Sequence, residues 1–260
     1  MIPAELVASE TAAWVWYPPD AEIVEDDDLL LVRWPEHFGQ PPSLVRIDPA
    51  ADPERVLAVA AEQTRVWGAN RVTVPVMLAA PTGLEELLLS RGATPYETVD
   101  VLAADLTGPG PLLDAPDGIE LWWQLNVRTV LDGAGVALEA FGEGAIPDEA
   151  TARELARLNA ADLDAGVGTS LVAYLDSRPV GTAGVTVVGW TARLWGGAVV
   201  PAARGRGVYR AMLQARLDLA VERGATMALV KGRVATSGPI LRRAGFQAYG
   251  EERSYRLPVA

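Results

Sequence analysis

The sequence predicts an α+β protein with a mixed α/β sheet, arranged as two halves with a similar order of elements. Half of the 260 residues are hydrophobic and 22% are charged, which is typical of a chain that buries a core. Short runs of alternating hydrophobicity stand between longer runs with helical periodicity. A segment rich in glycine and proline, residues 106–118, divides the chain. We therefore predict one domain over 1–108 and a second over 117–260.

The two halves share a pattern of helix, glycine and strand. Residues 56–74 and residues 212–230 each predict a helix that ends at a glycine and is followed by a strand. Residues 84–106 and 239–257 then each predict a shorter helix, a second glycine and a strand. The repetition favours an internal duplication, although chance alone can produce the same order of such common elements.

The other elements of the second half follow from periodicity and turn residues. Two helices come early, and Asp148 is expected to cap the second of them. Turn residues separate the next three strands and predict two hairpins. The expected elements, in order, are a strand over 118–125, helices over 127–143 and 148–159, and strands over 169–176, 179–188 and 192–200.

Charge is distributed unevenly along the chain. Residues 1–108 contain 18 acidic and 6 basic side chains, whereas residues 109–260 contain 16 of each. Within the second part, residues 204–256 carry 11 basic and 4 acidic side chains. Nucleic-acid binding needs an extended positive face, so this distribution argues against it. It fits a compact anionic ligand near the C-terminal segment.

Several classes of protein are excluded by composition. The chain has no cysteine and one histidine, His37, so a disulfide scaffold, a cysteine nucleophile and a multi-histidine metal site are not expected. We interpret His37 as a loop residue and expect no metal. No apolar run is long enough to span a membrane, and no basic segment precedes an apolar one at the N-terminus. We expect a cytoplasmic protein without membrane contact.

The most informative stretch is AVVPAARGRGVYRAM, residues 198–212. Pro201 ends the preceding strand, and a helix is expected to begin near Gly207. The first backbone N–H groups of a helix have no internal acceptor and lie at its positive end, so they bind anions. Gly205 and Gly207 allow close approach of the backbone to such an anion.

Three arginines in the same stretch, Arg204, Arg206 and Arg210, add forked donors that suit phosphate. Together with the glycines they favour a pyrophosphate site; the alternative is an ordinary strand–helix turn with exposed arginines. The stretch lacks the Lys-Ser/Thr pair of a P-loop and does not follow the first strand of a βαβ unit. Neither nucleotide hydrolysis nor NAD binding is therefore indicated.

At these residues the sequence resembles the GNAT superfamily of acyl-CoA N-acyltransferases, whose pyrophosphate loop reads Q/R-x-x-G-x-G/A between a strand and a helix. Arg204 and Gly207 match that motif, and Tyr209 replaces its last glycine or alanine. The later segment PILRRAGF resembles another motif of the family. The resemblance covers 117–260 well and 1–108 only as an echo without motifs. It implies a GNAT-like acyltransferase fold, with two units in tandem and the first one degenerate.

The resemblance also implies acetyl-CoA as cosubstrate, bound by one half only. In the first half, residues 47–54 (IDPAADPE) stand opposite the loop, and their carboxylates would repel a pyrophosphate. In the second half the strand would offer its backbone to the pantetheine arm and the loop would hold the pyrophosphate. The residues implied in cofactor binding are Ala198, Val199, Val200, Arg204, Gly205, Arg206, Gly207, Val208, Tyr209, Arg210 and Ser237.

The catalytic groups are not fixed by the resemblance, because Leu241 stands where the family commonly has a tyrosine. Glu139 and Glu143 are candidates for a general base near the acceptor pocket, and they equally fit a solvated helix end. Tyr249 and Tyr209 are candidates for the acid that protonates the leaving thiolate. Tyr249 also fits the core of a strand, and Tyr209 also fits the space of the missing glycine.

The function predicted is an acetyl-CoA-dependent N-acetyltransferase acting on a primary amine of a small molecule. The alternative is a catalytically inactive module that binds acyl-CoA as a sensor or binds a partner. The acidic first half favours a cationic acceptor or serves solubility. Trp195 is a candidate lining residue of the acceptor pocket or a core residue. A monomer or a homodimer is expected.

Overall fold

The structure is a computed structural model that describes residues 2–108, 113, 116–142 and 145–259. The described residues form seven α-helices and eleven β-strands. In chain order they are α1 (Ala4–Ala12), β1 (Glu22–Glu25), β2 (Leu29–Arg33), β3 (Ser43–Ile47), α2 (Pro53–Val66), β4 (Arg71–Val76), α3 (Leu84–Ser90), β5 (Thr94–Asp105), β6 (Ile119–Trp123), α4 (Val127–Phe141), α5 (Glu149–Asp164), β7 (Gly168–Leu175), β8 (Arg178–Val188), β9 (Thr191–Val199), α6 (Val208–Glu222), β10 (Met227–Arg233), α7 (Ser237–Arg243) and β11 (Gln247–Pro258).

The repeated pattern of helix, glycine and strand is present in the structure. Gly68 follows α2 and Gly224 follows α6, with φ of 72° and 80°. Gly92 and Gly245 follow α3 and α7, with φ of 78° and 92°. A residue in this left-handed region ends a helix, and glycine adopts it without the steric cost of a Cβ. A strand follows each of the four glycines, as the sequence predicts.

Two helix ends differ from the prediction. α4 ends at Phe141 rather than at residue 143, because Gly142 with φ of 74° closes it. α5 continues to Asp164, past the predicted end at 159, because its last turn contains no glycine or proline. Its predicted cap is confirmed: the Asp148 side chain accepts a hydrogen bond of 2.8 Å from the backbone N–H of Thr151.

Contacts divide the chain into two compact units. The C-terminal unit comprises Ala103–Lys231 and Leu241–Gln247. The N-terminal unit comprises Ile2–Leu102, Gly232–Ile240 and Ala248–Ala260. Each unit thus combines separate stretches of the chain. The division into two continuous domains at 108 and 117 stays a prediction.

In the N-terminal unit the strand order is β1-β2-β3-β4-β11-β5. β11 pairs antiparallel with β4, from Arg253 opposite Val76 to Pro258 opposite Arg71. Its Tyr255 and Leu257 are buried in one cluster with side chains of α2, α3 and β2–β4. The last strand of the chain therefore completes the sheet of this unit.

In the C-terminal unit the strand order is β10-β9-β8-β7-β6. Strands β6 to β9 are antiparallel neighbours, and β9 and β10 are parallel. The apolar stripe predicted for α6 is buried, with Val208 and Met212 at 1% and 0% exposure. Among the described residues, no helix combines the length and the apolar character needed to cross a membrane.

Candidate functional site

Strand β9 separates from its parallel neighbour β10 partway along its length. The two strands pair over 191–194 and 227–230 only, while β9 continues over 195–199. Just beyond the last pair, Gly196 and Gly197 stand opposite a single residue of β8, which makes a β-bulge, and Gly196 has φ of 62°. Bulges bend a strand and end its regular pairing. The second half of β9 therefore has backbone N–H and C=O groups that do not pair with β10.

The chain then turns into the N-terminus of α6. A 3-10 turn, Pro201–Ala203, follows β9, and Gly205 and Gly207 have φ of 77° and 82°. The first N–H that bonds within the helix is that of Ala211, which donates to the Gly207 carbonyl at 3.1 Å. The N–H groups of residues 208–210 therefore have no acceptor inside the helix and lie at its positive end. This geometry suits an anion.

The three arginines of the loop lie close to this helix end. The Nε of Arg204 donates to the last carbonyl of β9 at 3.3 Å. Arg206 lies 3.7 Å from Asp176, and both side chains are more than half exposed, so the pair binds weakly and an anion can compete for the guanidinium. A guanidinium nitrogen of Arg210 lies 3.4 Å from the point that a Cβ on Gly207 would occupy.

A buried arginine of α6 lies against β8, next to the strand that carries the bulge. Arg216 of α6 is 1% exposed and donates to the carbonyls of Met212 and Gly184 at 3.1 and 3.3 Å. Its guanidinium carbon lies 5.9 Å from the centre of the Tyr209 ring, and that ring approaches the position of a Cβ on Gly197 to 3.0 Å. Burial lowers the pKa of the guanidinium. In the sequence, Arg216 is a cation inside an otherwise apolar stripe of α6, but no motif marks it as part of a site.

Trp195 lies on the opposite face of the sheet. Its indole N–H donates to the Thr186 hydroxyl at 2.9 Å, and its ring covers Gly184, where a Cβ would meet ring carbons at 2.4–2.5 Å. Because side chains alternate along a strand, Thr182 lies on the same face of β8 as Gly184 and Thr186. Its hydroxyl accepts a hydrogen bond from the side chain of Gln124, and Gln124 packs against Gly133 of α4. The indole is therefore on the α4 side of the sheet. It is 42% exposed, so the core interpretation of Trp195 was wrong.

The structure separates the predicted catalytic residues. Glu139 is exposed on α4, and Glu143 lies outside the described residues. Tyr249 belongs to β11 in the N-terminal unit, and its hydroxyl donates to the Ile2 carbonyl at 3.1 Å. Leu241, at the position of the family's tyrosine, is fully buried. The roles assigned to the two glutamates and to Tyr249 stay predictions.

Ser237 has a local role in the structure. Its hydroxyl accepts a hydrogen bond of 2.9 Å from the backbone N–H of Arg233, at the point where β10 ends and α7 begins. Its part in cofactor binding stays a prediction.

In the first half, the N-terminus of the corresponding helix, α2, is capped by the side chain of Asp52. Asp52 caps α2 and accepts from the N–H of Glu54 at 3.1 Å, and Glu54 pairs with Arg91. A carboxylate therefore lies where an anion would have to bind, which supports the interpretation of this half as one without a phosphate loop.

Comparison with known proteins shows which family this strand–loop–helix arrangement is similar to. Residues 138–238 match the model of the Acetyltransferase (GNAT) family. That range contains the β9 bulge, the glycine loop and α6, and it ends at the start of α7. Over these 101 of the 260 residues, the chain is similar to the GNAT acetyltransferases. Comparison with curated proteins finds no match.

Solved structures extend the likeness to the whole chain. A GCN5-related N-acetyltransferase from Kribbella flavida is 17% identical, with a TM-score of 0.68 over 100% of this chain and 96% of the other. A GCN5-related N-acetyltransferase from Sphaerobacter thermophilus is 21% identical, with a TM-score of 0.64 over 89% and 81%. A tandem GNAT protein from the clavulanic acid biosynthesis pathway is 17% identical, with a TM-score of 0.65 over 97% and 88%. At these identities the likeness shows the fold, which is the GNAT-like mixed sheet that the sequence predicts.

Proposed function

We propose that this protein is an acetyl-CoA-dependent N-acetyltransferase that acts on a primary amine of a small molecule. One observation carries the proposal: β9 leaves β10 after Leu194 and leads directly into two left-handed glycines and the open N-terminus of α6. An unpaired stretch of strand that leads to a helix N-terminus suits a pantetheine arm that carries a pyrophosphate.

The residues present fit this ligand. The N–H groups of 205–210 would hold the pyrophosphate, and Arg204, Arg206 and Arg210 would add charge-assisted hydrogen bonds. The backbone of Ala198–Val200 would bind the amides of the pantetheine arm, much as one strand binds another. Val208 is buried beneath the loop and fixes the start of the helix.

The chemistry needs a neutral amine, a polarised carbonyl and a proton for the thiolate. The amine nitrogen forms a bond to the thioester carbon while the carbon–sulfur bond breaks and its electron pair goes to sulfur. The nitrogen loses a proton and the thiolate gains one, so the products are an amide and free CoA. The unpaired N–H groups of β9 near its bulge would polarise the carbonyl.

The proton donor must be a residue other than Leu241. We assign the role to Tyr209, because its hydroxyl lies 3.6 Å from the point that a Cβ on Gly197 would occupy, at the bulge of β9. The Arg216 guanidinium lies 5.9 Å from the centre of the tyrosine ring. Glu139 and Glu143 are the candidates for the base, and Tyr249 is the second candidate for the acid.

Two measurements test the proposal. Acetyl-CoA should raise the melting temperature, since a ligand that binds only the folded state stabilises it by RT ln(1 + [L]/Kd). Substituting Arg204 and Arg206 by glutamate should remove the shift, whereas the same change at Arg153 and Arg157, exposed on α5, should not. Free thiol should appear when acetyl-CoA is mixed with a panel of primary amines. An unchanged melting temperature at saturating acetyl-CoA would refute the proposal.

A second candidate function is a non-catalytic acyl-CoA sensor. It is favoured by one observation, the buried apolar Leu241 at the position of the family's tyrosine. The same measurements separate the two candidates. A melting shift with acetyl-CoA and no thiol release with any amine would favour the sensor, and thiol release above the rate of hydrolysis would favour the enzyme.

A further inference from the structure

We propose that the exposed face of the Trp195 indole binds the acceptor, and that this acceptor is an organic cation such as an alkylammonium ion. The inference deepens the proposed function and rests on it. It names the chemical class of the acceptor and the side chain that recognises it.

The indole is held in place at its N–H and at one face. Its N–H is engaged by the Thr186 hydroxyl at 2.9 Å. One face covers Gly184, and the absence of a side chain there lets the ring lie directly on β8. The remaining surface, 42% of the residue, is exposed. A fixed aromatic face attracts cations through its quadrupole, and tryptophan does so most strongly.

Trp195 also lies at the correct distance from the anion site. The backbone from Trp195 in β9 to Val200 just after it spans at most about 16 Å, at about 3.3 Å per residue. A pantetheine arm that starts at the loop and follows β9 would bring the thioester toward the bulge at Gly196 and Gly197. Trp195 is the next residue along the strand, so a ligand on its exposed face is close to the reacting carbon.

The charge of the helical segment on that side of the sheet favours a cation over a neutral aromatic. Residues 126–168, which form α4, α5 and their flanks, contain 8 acidic and 3 basic side chains. α4 packs on the Trp195 face of the sheet. All three basic residues pair with carboxylates of the same helices, so the excess is negative. These pairs are Arg128–Asp132, Arg153–Glu149 and Arg157–Glu154.

The basic residue of β9 does not alter this balance at the surface. Arg193 precedes Trp195 on the same face and is 8% exposed, so its charge is not presented to solvent beside the indole. A primary amine is a cation at neutral pH, because alkylammonium groups have pKa values near 10.4. The acidic helices therefore attract the acceptor in its charged form, and the indole face then binds it.

The test uses a charged probe and its neutral isostere. Choline carries a quaternary ammonium group and no transferable N–H, and 3,3-dimethylbutan-1-ol has the same shape without charge. Binding of each is measured by calorimetry with CoA present at saturation. Choline should bind about two- to fivefold more tightly than the alcohol, the ratio expected for a cation on a partly exposed ring. Trp195→Leu should abolish that preference.

Two further variants separate the effect of the Trp195 ring from the general effect of removing a tryptophan. Trp190→Leu is the matched control, because Trp190 is exposed to 38% in the β8–β9 turn; it should bind choline as the unchanged protein does. Gly184→Ala keeps the tryptophan but forces the ring from its place, and it should reduce the preference for choline as Trp195→Leu does. Loss of acetyl-CoA binding is measured separately by the melting shift, so failure of the proposed function is distinguishable from failure of this inference.

Three results would overturn the inference. One is equal binding of choline and the alcohol in the unchanged protein. Another is a preference for choline that survives Trp195→Leu. The third is an equal loss in Trp190→Leu, which would show a general effect of removing an exposed tryptophan.

Discussion

The glycine loop before α6 offers a direct comparison between two neighbouring glycines. Gly205 and Gly207 have nearly equal φ, 77° and 82°. A Cβ on Gly205 would have no heavy atom within 4 Å, whereas a Cβ on Gly207 would lie 2.5 and 2.6 Å from ring atoms of Pro116. The two alanine variants therefore carry the same backbone cost and differ in one steric contact.

The expected free energies follow from these contacts. A left-handed conformation costs an alanine about 1–2 kcal/mol, and that is the whole expected effect of Gly205→Ala. Gly207→Ala adds the displacement of a rigid proline ring, which at overpacked positions costs about 1–3 kcal/mol. Gly207→Ala should therefore lower the free energy of unfolding by about 2–5 kcal/mol. At about 2–4 °C per kcal/mol, its melting temperature should fall clearly below that of Gly205→Ala.

Thermal unfolding of both variants, side by side with the unchanged protein, measures the difference. The double variant with Pro116→Gly supplies the control, because removal of the ring should bring Gly207→Ala back to the level of Gly205→Ala. Equal melting temperatures for the two single variants would refute the reasoning. Such a result would mean that backbone conformation alone decides the cost at this loop.

Two more predictions concern the C-terminal unit. Gly133→Ala should destabilise the protein in denaturant unfolding, because a Cβ there would lie 2.1 Å from the side-chain amide nitrogen of Gln124. Gly135→Ala, on the same helix with open space around it, should stabilise the protein by up to about 1 kcal/mol. A change of the same sign in both variants would contradict this prediction. The Tyr174 hydroxyl donates to Asp132 at 2.5 Å, and burial together with that carboxylate raises its pKa above the usual value. Because the raised pKa favours the protonated form in the folded state, the stabilisation is complete below about pH 10 and is lost as the pH rises further. Unfolding measured against pH should therefore show a fall above pH 10 that is shallower in Tyr174→Phe.

Much of the local structure could be predicted because it depends on neighbouring residues. Gly68, Gly92, Gly224 and Gly245 each end a helix, since the helix-ending conformation is a property of the residue itself. The turn at residues 176–177 needs positive φ at both positions, and the structure has 52° and 60° there. Where the prediction missed an end, as at the C-terminus of α5, the sequence offered no breaker to mark it.

In the candidate site too, some residues could be predicted from the sequence and others could not. The loop from Arg204 to Arg210 could be found because its glycines and charges are adjacent in sequence and match a motif. The burial of Arg216 and the exposure of Trp195, which the sequence offered as a pocket residue or a core residue, could not be predicted, because both depend on what packs against these side chains. Gly184 lies between the two: its carbonyl accepts from Arg216 and its missing side chain makes room for the indole. No spacing in the sequence links these three residues.

The sequence by itself determined the order of helices and strands from α2 onward, the helix-ending glycines and the glycine–arginine loop at the start of α6. Each of these depends on the conformational range of single residues or on periodicity within one element. The tertiary structure alone decided that β11 pairs with β4, and that β9 leaves β10 after Leu194. Strand pairing joins residues that are far apart in the chain, 177 positions in the case of Val76 and Arg253. It is selected by the packing of whole sheets and by the entropy of the loops between them, and no local pattern records it.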